Sequence, residues 1–386
     1  MLALSRRSIG RALAVGMLTV FLGACKVVPD AGTRPGPAPA PTQGPSADVL
    51  PTDTARHRVA LLVPLSGENA AVGRSIANAT TMALLDTNAE NLRITTYDTA
   101  TGAGTAAASA IRDGNKLILG PLVREDVTAV LAQARPADVP LITFSNDTSI
   151  AAPDVFVMGH VPEQSVTRTV AYASQRGARR FAALVPNGDY GRRTGDALSR
   201  AVAGVGGTLA TVERFDRGNT SIVSAAERLK ATGGYDAVLI AEGPRLAAMA
   251  AGTLKDGGAQ VYLLGTELWS GEASIASSAS LRGALFSAVS DNRYRQFATS
   301  YQTRFGEQPF RLATLGYDAV LLTLRIARDW QPGRAFPTGR MLAADGFLGL
   351  DGPFRFGSSG IGERAMEVRE VGNGTVAVVD PAPTQF

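Results

Sequence analysis

The 386-residue sequence predicts an α/β protein made of two doubly wound lobes. Three observations lead there. Short, continuous apolar runs recur from residue 59 onward, stretches with helical spacing separate them, and roughly 330 residues follow a proline-rich N-terminal segment. A folded part of that size exceeds what one compact core usually holds.

The runs, in order, are Val59–Val63, Leu92–Tyr97, Lys116–Gly120, Pro140–Phe144, Phe181–Val185, Ala237–Ile240 and Val261–Gly265. Strands apolar on both faces belong in parallel sheets covered by helices above and below. The intervening helices show in Ser75–Asp86 and Val127–Ala134, where Ala, Leu and Val recur near every 3.6 residues. In such sheets a ligand binds outside the carboxyl ends of the strands. Those ends carry Pro64-Leu65-Ser66-Gly67, Tyr97-Asp98, Gly120-Pro121-Leu122, Ser145-Asn146-Asp147, Asn187-Gly188-Asp189-Tyr190, Glu242-Gly243 and Thr266-Glu267-Leu268-Trp269. From these loops Ser66 and Asn146 are the candidate ligand-binding residues of the first lobe. Tyr190, Glu242 and Trp269 are those of the second, with Trp269 a platform for an apolar group and Glu242 a partner for an ammonium.

The N-terminus reads as an export signal. Arg6, Arg7 and Arg11 precede an uncharged run from Ala12 to Ala24, which is too short to span a bilayer core of about 20 residues but fits the apolar stretch of a signal peptide. Leu22-Gly23-Ala24-Cys25 closes the run and resembles a lipobox, so residues 1–24 are expected to be cleaved and Cys25, the sole cysteine, to be acylated. Residues 25–55 hold seven prolines among Ala, Gly, Thr and Ser. They read as an extended tether, whose reach is about 90 Å at roughly 3.1 Å per residue. Without the signal peptide the balance is 35 basic against 34 acidic residues. No block of five Lys or Arg appears, so nucleic-acid binding lacks its electrostatic footprint.

Catalytic chemistry finds little support. His57 and His160 are the only histidines, no Cys/His metal set is readable, and no Gly-x-Ser-x-Gly elbow or phosphate loop occurs. Gly102-Ala103-Gly104-Thr105-Ala106-Ala107 fits a dinucleotide fingerprint in form. It follows the second strand rather than the first, and reads as a helix start rich in small residues. No metal, cofactor or catalytic residue is expected, and the chain is read as a binding protein rather than an enzyme.

Taken together, the loops resemble the type I periplasmic binding proteins over residues 57–380. The carrying motifs are Pro64-Leu65-Ser66-Gly67 with Gly73, Leu119-Gly120-Pro121, Val139-Pro140-Leu141-Ile142, Asp189-Tyr190-Gly191, Gly206-Gly207, Arg217-Gly218-Asn219-Thr220, and Gly352-Pro353-Phe354-Arg355-Phe356 with Arg364 and Gly374. The resemblance implies two lobes joined by three crossings near 160, 288 and 340. Residues 56–160 and 288–340 would form lobe 1, and 161–287 and 341–380 lobe 2. Helices at Arg293–Phe305 and Ala313–Arg328 would then belong to the first lobe.

Within that fold the lipobox, the tether and Gly120-Pro121-Leu122 look most like the penicillin-binding protein activator lipoproteins. That likeness implies a peptidoglycan synthase as partner, with the protein at the periplasmic face of the envelope, lipid-anchored to the outer membrane. The alternative is a solute-binding lipoprotein of an ABC importer for branched-chain amino acids or similar small molecules. Importers of that kind hold the ligand carboxylate with hydroxyls at the helix start after the Gly-Pro strand. Here the stretch reads Leu122-Val123-Arg124-Glu125-Asp126, with no hydroxyl before Thr128.

Overall fold

The computed structural model describes residues 55–384 except 259. The expected signal peptide, Cys25 and nearly all of the tether lie outside the described residues. Among those described, no helix is long and apolar enough to cross a membrane.

The first sheet is built from β1 (His57–Val63), β2 (Leu92–Asp98), β3 (Ile118–Leu119), β4 (Leu141–Thr143) and β5 (Val155–Val157). It is parallel throughout, in the order β2-β1-β3-β4-β5. Three crossover helices link the strands, α1 (Ala70–Asp86), α2 (Ala103–Arg112) and α3 (Arg124–Ala134). Successive residues of β1 supply opposite faces. Val59, Leu61 and Val63 enter one apolar core with Ile76 of α1, while Ala60 and Leu62 enter the other with Ala107 of α2 and Val130 of α3. Burial on both sides is why the run carries no polar alternation. The small residues of the Gly102–Ala107 stretch open α2 and bury Ala103, Ala106 and Ala107 against this sheet.

The second sheet contains β6 (Arg180–Pro186), β7 (Thr208–Phe215), β8 (Ala237–Ile240) and β9 (Tyr262–Leu264), covered by α4 (Pro162–Gln175), α5 (Asp189–Gly204), α6 (Ser221–Thr232), α7 (Pro244–Lys255) and the short α8 (Ser274–Ser277). It continues with β10 (Leu285–Val289), parallel to β9. The chain then adds α9 (Asn292–Phe305) and α10 (Ala313–Ala327), which pack with α1 on the first sheet. A small antiparallel sheet follows, of β11 (Phe347–Gly349), β12 (Gly352–Phe356) and β13 (Gly362–Arg364). The strands β14 (Met366–Val371), antiparallel to β10, and β15 (Val376–Asp380), antiparallel to β14, finally join the second sheet, giving the order β15-β14-β10-β9-β8-β6-β7.

One expected boundary needs correction. The resemblance implies a third crossing near 340, with 341–380 in lobe 2. Phe347, Phe354 and Phe356 instead share a core with Val59, Leu61 and Leu119, and Phe356 meets Phe156 edge-on at 5.4 Å. Residues 341–364 therefore pack with the first sheet, and the chain returns to the second at Ala365. The apolar alternation of β11–β12 buries one face, as a strand pattern should, but it is the first lobe's core that this face meets.

Both lobes aim a helix start at the same side of their sheets. Gly73 in α1 lies against the Pro64 carbonyl, and Gly191 in α5 against the Pro186 carbonyl, with no room for a Cβ at either position. These close approaches set the helices against the loops that follow β1 and β6.

Candidate functional site

A cleft of about 570 Å³ opens where the carboxyl-end loops of the two sheets face each other. The first lobe supplies Val72 of α1, the Leu122–Glu125 stretch after β3, Phe144–Asp147 after β4, and Phe310–Leu312 ahead of α10. The second lobe supplies Asp189, Tyr190 and Arg193 from the start of α5, and Glu267, Leu268, Ser270 and Glu272 after β9. This is the place that the strand order reverses in each sheet, between β1 and β3 and between β6 and β8, and hence the expected ligand crevice.

Two of the five sequence candidates line it. Asn146 does so from the first lobe, and its main-chain carbonyl accepts from Arg193 Nη2 at 2.7 Å. Tyr190 does so from the second, its hydroxyl donating to Glu267 Oε1 at 3.0 Å and lying 2.9 Å from Thr266 Oγ1. Burial, followed by the Glu267 charge, pushes the Tyr190 phenol well above its usual range.

The other three point elsewhere. Ser66 is exposed and donates to Asp98 Oδ2 at 3.0 Å. Glu242 pairs with Arg217 at 2.8 Å and accepts from the Gly243 amide. Trp269 is only 1% exposed, packs against Phe286 with ring centroids 5.6 Å apart, and donates Nε1–H to the Glu242 carbonyl at 2.8 Å. A buried indole that already has its hydrogen-bond partner is core.

The residues that shape the cleft most were not singled out from sequence. Arg193 makes a bidentate pair with Glu163 at 2.8 Å to each oxygen while donating to the Asn146 carbonyl, so it ties the second lobe to the first. Arg124 works from the other side, 3.0 Å from Asp147 in its own lobe and 3.9 Å from Asp189 across the cleft. Burial raises the Glu267 carboxyl to about 7. In the sequence the only cue to Arg193 is its place one turn after Tyr190 in a helix start, and Glu267 is a lone acid in the turn that also carries Trp269.

Behind the cleft the three crossings meet in a buried charge network. His160 Nε2 lies 2.7 Å from Asp351 Oδ2, Arg311 Nη1 donates to Asp351 Oδ1 at 2.6 Å, and Thr314 donates to Asp351 Oδ2 at 3.0 Å. Arg364 Nη1 stands 3.6 Å from Asp351 and 3.8 Å from Asp318, while its Nη2 donates to the Met158 carbonyl. Arg369 pairs with Asp291 and Glu367 and donates to the Val289 carbonyl. Burial alone would raise Asp351, but Arg311, His160 and Arg364 hold it well below the carboxylate range. Asp318, buried and beside that charge, rises to about 7. Burial also lowers His160. The strands crossing between lobes are thus joined by charge-assisted hydrogen bonds rather than by apolar contact alone.

Comparison with known proteins adds the following. A penicillin-binding protein activator LpoA from Photobacterium profundum is 26% identical over 164 residues, 41% of this chain and 26% of that protein. An uncharacterized protein of Rickettsia prowazekii is 26% identical over 173 residues, 44% of this chain and 46% of that protein. The chain thus spans less than half the length of these curated relatives. Among solved structures, a leucine-binding protein LivK from Thermotoga maritima superposes with a TM-score of 0.62 at 20% identity, over 83% of this chain and 97% of that one. Full-length LpoA from Haemophilus influenzae superposes at 0.64 and 20% identity, over 85% of this chain and 60% of that one. At these identities the likeness is one of fold, that of the type I periplasmic binding proteins. A profile described as "Periplasmic binding protein" matches residues 57–375, most of the chain, and the protein belongs to that family.

Proposed function

We propose that the chain is a non-enzymatic envelope lipoprotein, anchored through Cys25 at the periplasmic face of the outer membrane, that acts as a penicillin-binding protein activator. Its lobes would contact a peptidoglycan synthase, with the tether at 25–55 carrying them to it. The observation that supports this reading is a cleft cross-braced by the chain's own side chains. Arg193 reaches the Asn146 carbonyl and Arg124 approaches Asp189, so the chain's own side chains tie the two lobes across the cleft. The first turn of α3 also offers Glu125 and Asp126 where a carboxylate would need hydroxyls or free donors. The likeness to activators named LpoA points the same way.

The test is crosslinking in cells followed by purification through the lobes. A bifunctional peptidoglycan synthase should be recovered with the parent protein. Cys25→Ser should shift the protein from membrane to soluble fractions and reduce that recovery. If no synthase is captured, and leucine or valine raises the melting temperature by a few degrees, the activator reading fails.

The second reading, a solute receptor of an importer, is favoured by the size of the cleft and by the apolar residues on its first-lobe wall. It requires closure on a small molecule, and the same melting experiment decides between the two.

A further inference from the structure

Charge is not spread evenly over the folded part. Between residues 55 and 384 basic residues outnumber acidic ones by only 33 to 31. The edge of the first sheet opposite the cleft is different. It is formed by the amino ends of the strands and the segments that lead into them, 55–58, 87–93, 112–117, 135–140 and 151–154, together with 328–340 after α10. These segments hold nine basic and five acidic residues, so the surplus lies at this edge and the remainder of the fold is slightly negative.

Packing brings the charges together. Arg58 of β1 and Arg93 of β2 stand in register on neighbouring strands, and the Lys116 amide donates to the Arg58 carbonyl at 3.0 Å. His57 stacks on Trp330 with ring centroids 4.2 Å apart, which fixes the turn after α10 beside the start of β1. Within that turn the Trp330 indole donates to the Arg334 carbonyl at 2.9 Å, and Arg340 reaches Asp329 at 3.4 Å. Residues 331–335 are all exposed, and Arg328, Arg334 and Lys116 pair with no carboxylate among the described residues. Leu342, two residues beyond Arg340, is 45% exposed. The chain also enters the fold here, since β1 begins at His57.

We propose that this basic edge docks on an anionic phospholipid surface, with the cleft turned away from it. The inference rests on the proposed anchor at Cys25 for bringing a membrane near, and not on the synthase reading. Each Lys or Arg brought to an anionic headgroup layer strengthens attachment about fivefold. An exposed leucine among them suits the boundary between headgroups and acyl chains. The attraction fades within about 10 Å at 0.1 M salt, so the contact is reversible and leaves the lobes able to meet a partner. Because the cleft lies at the carboxyl ends of the same strands, docking by the amino ends presents it to the periplasm.

The experiment sediments the Cys25→Ser protein, which lacks the acylation site, with vesicles of phosphatidylcholine alone or mixed with phosphatidylglycerol. It should pellet with the anionic vesicles at low salt and stay in solution with the neutral ones. At about 1 M salt, where screening acts within about 3 Å, it should be released. Arg328→Gln with Arg334→Gln should weaken pelleting about 25-fold, fivefold for each charge. Arg200→Gln with Arg245→Gln removes the same charge from the second lobe and should leave pelleting unchanged. All four arginines are exposed, so both variants should fold and melt like the parent. The proposal is overturned if the anionic vesicles bind nothing, if the neutral ones bind as well, or if the two double variants lose equally. Pelleting with purified peptidoglycan and not with vesicles would overturn it too. Its failure leaves synthase capture untouched, and a failed capture leaves vesicle binding to stand.

Discussion

Neutralising Asp351 should cost less than its burial suggests, because Asp318 stands ready to take over its charge. Removing one partner from a buried ion pair typically costs about 3–5 kcal/mol. Asp351→Asn leaves Arg311 and Arg364 without their main carboxylate. Asp318 sits 3.8 Å from Arg364 and is held at about 7 by burial first and by the Asp351 charge second. With that charge gone Asp318 ionises, so the loss should fall at the low end, about 3 kcal/mol. Unfolding entropy near 2.1 cal/mol/K per residue over roughly 330 residues is about 0.7 kcal/mol/K, so the melting temperature should drop by about 4 °C.

Asp318→Asn alone should cost about 1 kcal/mol, because it removes a carboxylate that is half-protonated near neutrality and leaves one acceptor for the Leu350 amide. The double substitution leaves no carboxylate facing Arg364 Nη1, and its cost should exceed the sum of the two by about 1–3 kcal/mol. The pH dependence follows from the same residue. Its folded pKa lies above the unfolded one, so the native state holds the extra proton between about pH 4 and 7. Stability from this group falls as pH rises through that window and is level above it, and Asp351→Asn should flatten the fall. Circular dichroism melts of the four proteins at pH 5 and pH 8 measure all of this. Strictly additive losses would refute the coupling, as would an Asp351→Asn protein that loses about 5 kcal/mol, or about 7 °C, as an uncompensated buried pair does.

Trp269→Ala should cost about 3–5 kcal/mol in urea unfolding, since it empties a core position and orphans the Glu242 carbonyl; a loss below 1 kcal/mol would return Trp269 to the cleft. Arg193→Ala removes the brace to Asn146 and leaves Glu163 unpaired, so small-angle scattering should report a larger radius of gyration and the melt a loss of about 3 kcal/mol; an unchanged scattering curve would mean that the brace does not set the lobe angle. Glu267→Gln should remove a fall in stability of about 3 kcal/mol between pH 4.5 and about 7, because the parent's folded carboxyl keeps its proton through that range and the amide has none to lose. Arg325→Ala, at an exposed pair with Asp345, should change stability by less than about 1 kcal/mol, and a larger loss would show that the surface pairs matter more than their exposure implies.

What the sequence determined by itself was the βα rhythm and the side of each sheet on which a crevice forms. A run such as Val59–Val63 can be stable only where both faces are covered, and a Gly such as Gly73 or Gly191 fits where helix and strand end touch, so local pattern and packing requirement coincide. Asn146 and Tyr190 were legible for the same reason, being polar residues just past buried strands. The tertiary structure decided the rest. Trp269 and Glu242 sit at strand ends too, yet the indole found a carbonyl and an aromatic neighbour inside the lobe, and Glu242 found Arg217. Alternation in β11–β12 tells which face is buried but not against which core, which is why residues 341–364 joined the first lobe. Arg193, Glu267 and the His160–Asp351 pair were invisible because a side chain's partner depends on chain segments brought together only in space, in the last case across 191 residues, and no spacing rule spans that distance.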